Sequence, residues 1–180
     1  MNTPDDKYIV TKAAILHYEF SIRIWDALER GVIPEKVFQE PITISDGEFN
    51  LVLNDKHFSS IENQKRAAIA FISDSFGRAV SALSELLSQL LEQQTHPTDE
   101  QKDVRDFIYM IRCAFSHEIG FPKWEVKSPN SPYMRKMNVL GNTYDMAKLN
   151  GEIFEYHHAG GYEILHNIFR DLYKFFPGQN

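Results

Sequence analysis

The chain of 180 residues has one cysteine, no apolar run long enough for a membrane span, no basic excess and no internal repeat. A single thiol, Cys113, excludes an internal disulfide and any cysteine-based zinc knuckle. Without about eighteen consecutive apolar residues, no segment is predicted to cross a membrane. The opening Met1-Asn-Thr-Pro-Asp-Asp is acidic and polar rather than a basic, then apolar, secretory signal. Together these features point to a cytoplasmic protein. The net charge of -6 argues against broad, sequence-independent nucleic-acid binding, which needs a basic surface. The deficit is uneven. From Arg112 to Met137, Arg112, Lys123, Lys127, Arg135 and Lys136 stand against Glu118 and Glu125, a local +3 that leaves -9 for the rest of the chain. A local basic site and a solvated loop with scattered lysines both fit that pattern.

What is present is helical periodicity. Length predicts a single domain over residues 1–180, and apolar spacing predicts helices at about 7–30, 60–93, 99–118 and 160–176. The first has Ile15, Tyr18, Ile22, Trp25 and Leu28 on one face, with Gly31 to end it. The second has Ile69, Ile72, Phe76, Val80, Leu83, Leu87 and Leu90, and Gly77 within it marks a bend or a close contact. Ser59 with Glu62, and Thr98 with Gln101, are spaced as capping boxes. The last helix is predicted to open at Gly160-Gly161, to bury Tyr162, Leu165, Ile168, Phe169, Leu172 and Phe176, and to stop at Pro177-Gly178. Alternation around Asp46-Gly47 predicts a hairpin over 42–53. A β insertion is predicted at about 123–156, with strands at 123–127, 135–140 and 143–146 and a turn at Gly141-Asn142. The fold class is therefore mainly α, a helical bundle with a small β-hairpin insertion.

The third helix carries the chemistry. Val104, Phe107, Ile108, Ile111, Ala114 and Phe115 form its buried stripe, into which the sequence sets Arg112 and, five residues later, His117, just before Gly120 and Pro122. Five residues on a straight helix means about 140° of rotation and about 7.5 Å of rise, so the two do not share a face. Arg112 shares a seam with Arg105, Tyr109 and Ser116, and His117 one with Asp106, Met110 and Cys113. Two antiparallel copies of the helix in a homodimer would bring both pairs into one cleft. Such a cleft suits cleavage of RNA. A neutral imidazole accepts the proton of a 2′-hydroxyl near neutral pH. A guanidinium holds the phosphate and stabilises the extra negative charge of the transition state. The ribose hydroxyl is then the nucleophile, and neither metal nor cofactor is required. Plainer roles also fit: His117 against the dipole at a helix C-terminus, and Arg112 paired with Asp74 or Glu62 of the long helix.

Arg112-Cys-Ala-Phe-Ser-His117 resembles the arginine–four-residue–histidine motif of the HEPN superfamily, small α-helical domains that include many metal-independent ribonucleases. Pro122-Lys-Trp124, residues 145–154 and Gly160-Gly161 with the following helix are also similar to bacterial HEPN-like proteins, so the likeness covers roughly residues 98–176. The resemblance implies an up-and-down bundle that dimerises with its motifs facing, Arg112 and His117 as the catalytic pair, and a toxin, abortive-infection or other defence role with an antitoxin or other protein partner. It also implies an alternative, a catalytically inactive module that binds RNA or protein. The residue after the arginine is frequently asparagine, aspartate or histidine in that family, and here it is Cys113, a weak hydrogen-bonding group.

Around the pair, Tyr109, Ser116, Lys123, Lys127 and Arg135 are the candidate substrate-binding residues, with Trp124 and Tyr133 as candidates for stacking on single-stranded RNA or for hydrophobic packing. Cys113 and His117, four residues apart on one face, could form a nucleophile–base pair, although a cysteine in an apolar helix usually packs as a small core residue. No metal site is predicted. His157-His158 and His166 are the only clustered histidines, and an adjacent pair diverges on either a strand or an α-helix.

Overall fold

The computed structural model describes residues 4–46, 49–53, 58–117, 121–126 and 128–176. Over these residues the chain is mainly helical, with two small antiparallel two-stranded sheets. It divides into two compact units. One comprises Met1–His17 with Asp74–Asn180, and the other Tyr18–Ser73. Among the described residues no helix is long and apolar enough to cross a membrane.

Helices α1 (Pro4–Glu29), α2 (Ile61–Glu92) and α3 (Asp99–His117) lie close to their predicted bounds. In the smaller unit, Tyr18 and Leu28 of α1 and Ala68 and Ile72 of α2 are buried. Lys65 Nζ lies 2.8 Å from Glu29 Oε2. Strands β1 (Ile42–Asp46) and β2 (Phe49–Leu53) pair from Ile42 opposite Leu53 to Asp46 opposite Phe49. The predicted turn residue Gly47 lies outside the described residues. The backbone N–H of Asn63 donates to Ser60 Oγ (3.3 Å), so the α2 cap is Ser60 rather than Ser59. Ile69, predicted for the buried stripe of α2, is exposed.

The larger unit holds the core around α3. Phe76, Ala79, Val80, Leu83 and Leu87 of α2 are fully buried, as are Val104, Phe107, Ile108 and Ile111 of α3. A Cβ built on Gly77 would sit 3.4 Å from Phe115 Cδ1, so the glycine serves close helix contact. Thr11 Oγ1 of α1 donates to the carbonyl of Ala82 (3.2 Å). The predicted cap of α3 forms in both directions: Thr98 N–H donates to Gln101 Oε1 (2.8 Å), and Gln101 N–H to Thr98 Oγ1 (3.2 Å). Gln101 Nε2 also donates to the Phe175 carbonyl at 2.5 Å, tying the start of α3 to the end of the last described helix.

After α3 the chain wraps its aromatic residues over the same core. Trp124 is wholly buried, with its ring 5.2 Å from that of Phe154, which in turn lies 5.0 Å from Phe115. Trp124 N–H donates to Glu152 O, and Gly151 N–H to Trp124 O. Over the described residues 123–126 the predicted strand is thus reduced to a single bridge, Lys123 with Ile153, within a short ladder of backbone bonds, and Lys127 lies outside the described residues. Strands β3 (Lys136–Val139) and β4 (Asn142–Asp145) form the expected hairpin. Its turn is Leu140-Gly141, one residue earlier than predicted, and both residues have positive φ (52° and 79°). β4 stops at Asp145 because that side chain accepts from Ala147 N–H and caps the short helix α4 (Met146–Leu149).

The predicted last helix over 160–176 is broken. A 3₁₀ turn (Tyr156–Ala159) ends at Gly160 and Gly161, both at positive φ, and helix begins only at α5 (Ile164–Arg170), followed by α6 (Leu172–Phe175). Leu165, Ile168, Leu172 and Phe176 are buried as expected, whereas Tyr162 is exposed. The predicted stop, Pro177-Gly178, lies outside the described residues.

Candidate functional site

Arg112 occupies the penultimate turn of α3, where the buried stripe is flanked by α2. It is half-buried and faces a cavity of about 310 Å³. Gly77 and Phe115 form the cavity's close-packed side, and Asp74, Arg78 and Ser116 line it with Arg112. The partners proposed for Arg112 on sequence are engaged elsewhere. Asp74 Oδ2 takes the Nε of Arg78 (2.9 Å), and Glu62 Oε1 takes Nη2 of Arg66 (2.5 Å). Among the described residues Arg112 has no ion-pair partner. Two guanidinium groups and one carboxylate therefore leave the cavity lining at +1. Ser116 shares this cavity as its spacing implied, but its hydroxyl donates to the Arg112 carbonyl (2.8 Å) within the helix.

His117 is the last residue of α3. Its side chain lies outside the described ones, as do Glu118, Ile119 and Gly120 and the whole of Lys127.

Tyr109 and Cys113 line a second cavity, of about 470 Å³, with Met110, Glu125, Val126 and Tyr133. The rings of Tyr109 and Tyr133 lie 5.1 Å apart. A hydrogen bond shared with the Cys113 thiol raises the Tyr109 pKa above that of an ordinary phenol, against the lowering pull of nearby Arg112. Tyr109 is thus close enough to feel the Arg112 charge, although it opens into a different cavity.

The remaining candidates are not gathered at Arg112. Lys123 is exposed, and its backbone bridges to Ile153. Arg135 is held by α3 itself: Nη1 donates to Asp103 Oδ1 and Nη2 to Asp106 Oδ2, the latter at 2.9 Å. Asp103 also accepts the Asn138 N–H at 2.7 Å, so both nearly buried carboxylates bind the hairpin to the helix. Burial disfavours charge on Arg135, but the bonds from Asp103 and Asp106 more than offset it and raise its pKa. Arg135 is committed to structure. Trp124, buried among Phe107 and Phe154, is unable to stack on an external base. Arg78 joins the site without having been singled out, and Asp74, named on sequence as a partner for Arg112, lines the cavity but pairs with Arg78. Their i,i+4 spacing beside Gly77 was the available signal, because a close helix contact at Gly77 puts its neighbours against α3.

Comparison of the chain with protein-family models, with curated proteins and with solved structures returns no match.

Proposed function

We propose that the chain is a metal-independent endoribonuclease of HEPN type, a cytoplasmic toxin or defence factor whose composite active site forms between two copies of an up-and-down helical bundle. The observation that carries this reading is Arg112, a partly exposed guanidinium without an ion-pair partner among the described residues, beside a cavity with a second arginine. A guanidinium that only joined two helices would be expected to hold a carboxylate, as Arg135 does. In the proposed reaction Arg112 holds the scissile phosphate and the charge that develops on it. His117 takes the proton of the ribose 2′-hydroxyl. The oxygen so activated attacks the neighbouring phosphorus, the P–O bond to the next nucleotide breaks, and the leaving 5′-oxygen gains a proton.

The test is cleavage of a broad RNA panel by the purified chain in the presence of a chelator, beside Arg112→Ala and His117→Ala. Each substitution is expected to lower the cleavage rate at least about 100-fold, the usual loss for one transition-state contact or one general base. Wild-type protein that leaves the panel intact, or variants that cut equally well, would overturn the nuclease reading.

A second reading, an inactive module that binds RNA or an antitoxin-like protein, is favoured by Cys113. It lines the second cavity with Tyr109 and offers nothing to the phosphate side of the helix. RNA that is bound but not cut, with affinity reduced by Arg112→Ala, would select it.

A further inference from the structure

On a strand or an α-helix His157 and His158 would point apart. The 3₁₀ turn that carries them does otherwise. Their rings stand edge to face with centroids 4.3 Å apart. Glu155, two residues upstream, brings Oε2 to 3.0 Å from His157 Nδ1, and its backbone N–H donates to His158 Nδ1 at 3.3 Å. One donor atom from each of Glu155, His157 and His158 lies within 4.8 Å of the others.

We propose that Glu155, His157 and His158 form a binding site for one divalent transition-metal ion of the zinc type. Around a tetrahedral ion with bonds of about 2.0–2.1 Å, neighbouring donor atoms stand about 3.3 Å apart. The Glu155–His157 contact is already near that spacing. His157 is exposed and among the described residues has no further hydrogen bond to break, so rotation of its ring closes the remaining distance. The Glu155 N–H that now meets His158 is also exposed, and water replaces His158 as its partner when the imidazole turns to a metal. Two imidazole nitrogens and one carboxylate oxygen suit zinc, nickel, cobalt or copper. Magnesium and calcium prefer a shell of oxygens. Three protein donors leave one position for water or a further ligand.

The backbone beneath the donors is held in place, which limits what ordering the site costs. Phe154 and Ala159 are buried on either side of the turn. The Tyr156 ring packs 5.0 Å from Phe76 and 4.2 Å from Tyr162. Gly160 N–H to His157 O and Gly161 N–H to Tyr156 O close the turn. None of the three donors lines the Arg112 cavity, and the proposal is independent of RNA cleavage.

The experiment is calorimetric titration of the metal-free full chain with zinc chloride and, separately, magnesium chloride. One zinc per chain with a micromolar Kd is expected, and no magnesium binding. His157→Ala and Glu155→Gln should each weaken zinc at least tenfold, while His166→Ala and His96→Ala leave it unchanged. Because His157 is exposed, its variant is expected to retain the wild-type circular dichroism, so its result reports on binding. Cobalt added to the metal-free chain should give d–d absorption that His157→Ala abolishes. Absence of saturable zinc binding, or binding that survives both His157→Ala and His158→Ala, overturns the proposal.

Discussion

Arg112 and Arg135 have the same side chain and opposite circumstances. Arg135 meets two nearly buried carboxylates and holds a hairpin to α3, whereas Arg112 has no ion-pair partner among the described residues and borders a cavity. Arg135→Ala is therefore expected to destabilise the fold by about 2 kcal/mol, at the low side for a broken buried pair because the guanidinium is partly exposed, as read from the urea midpoint. Arg112→Ala is expected to leave that midpoint within about 0.5 kcal/mol of wild type and to act on RNA instead. Leu140 is the other informative residue. It holds φ at 52°, a conformation that strains a branched side chain and that a two-residue hairpin turn demands. Leu140→Gly is expected to raise stability by about 0.5–1 kcal/mol, measured in the same titration.

At the scale of elements, α3 is tied at its start. Gln101 closes the capping box and reaches Phe175 O, so Gln101→Ala removes a cap and a long-range bond together. A loss of about 1–2 kcal/mol is expected, visible as a lower midpoint by circular dichroism. The 3₁₀ turn before α5 depends on Gly160. A Cβ there would stand 2.7 Å from Tyr144 Oη, at a φ of 90° that L side chains rarely adopt. Tyr156 in the same turn is half-buried, and that burial, with the ionisable Tyr162 phenol beside it, pushes its pKa well above the ordinary phenol value. A raised folded-state pKa means that the neutral hydroxyl's contribution is full below about pH 10 and is lost as pH climbs beyond it. Alkaline unfolding should accordingly begin at lower pH in wild type than in Tyr156→Phe, with tyrosinate absorbance reporting the ionisation. The three long helices were legible in sequence because stripes with spacings of three and four run for many turns. The final helix was not, because Gly160 and Gly161 read as a start signal while their positive φ delays the helix to Ile164.

At the scale of the molecule, the proposed composite site requires two copies. Light scattering is expected to give about twice the 20.9 kDa of one chain, and specific activity should fall as dilution separates the copies. Ile9 and Leu16, two turns apart on α1, are exposed apolar residues that a partner surface would cover. A monomer with full activity would exclude the composite arrangement.

The candidate site was only half legible. Arg112 stood out because a charge interrupted an apolar helix, and Ser116 followed from its spacing. Arg135, Lys123 and Trp124 were grouped with it by proximity in the chain, and the fold sends them to an ion-paired clamp, an exposed bridge and the core. By itself the sequence determined the three long helices, the cap of α3, the two hairpins and the residue that breaks the buried stripe, since these depend on neighbours within a few positions. Only the tertiary structure decided that Arg135 meets Asp103 and Asp106, that Arg78 joins Arg112, and that Glu155, His157 and His158 converge. Those outcomes depend on where separate segments pack and on the exact turn of the backbone, which local spacing does not specify.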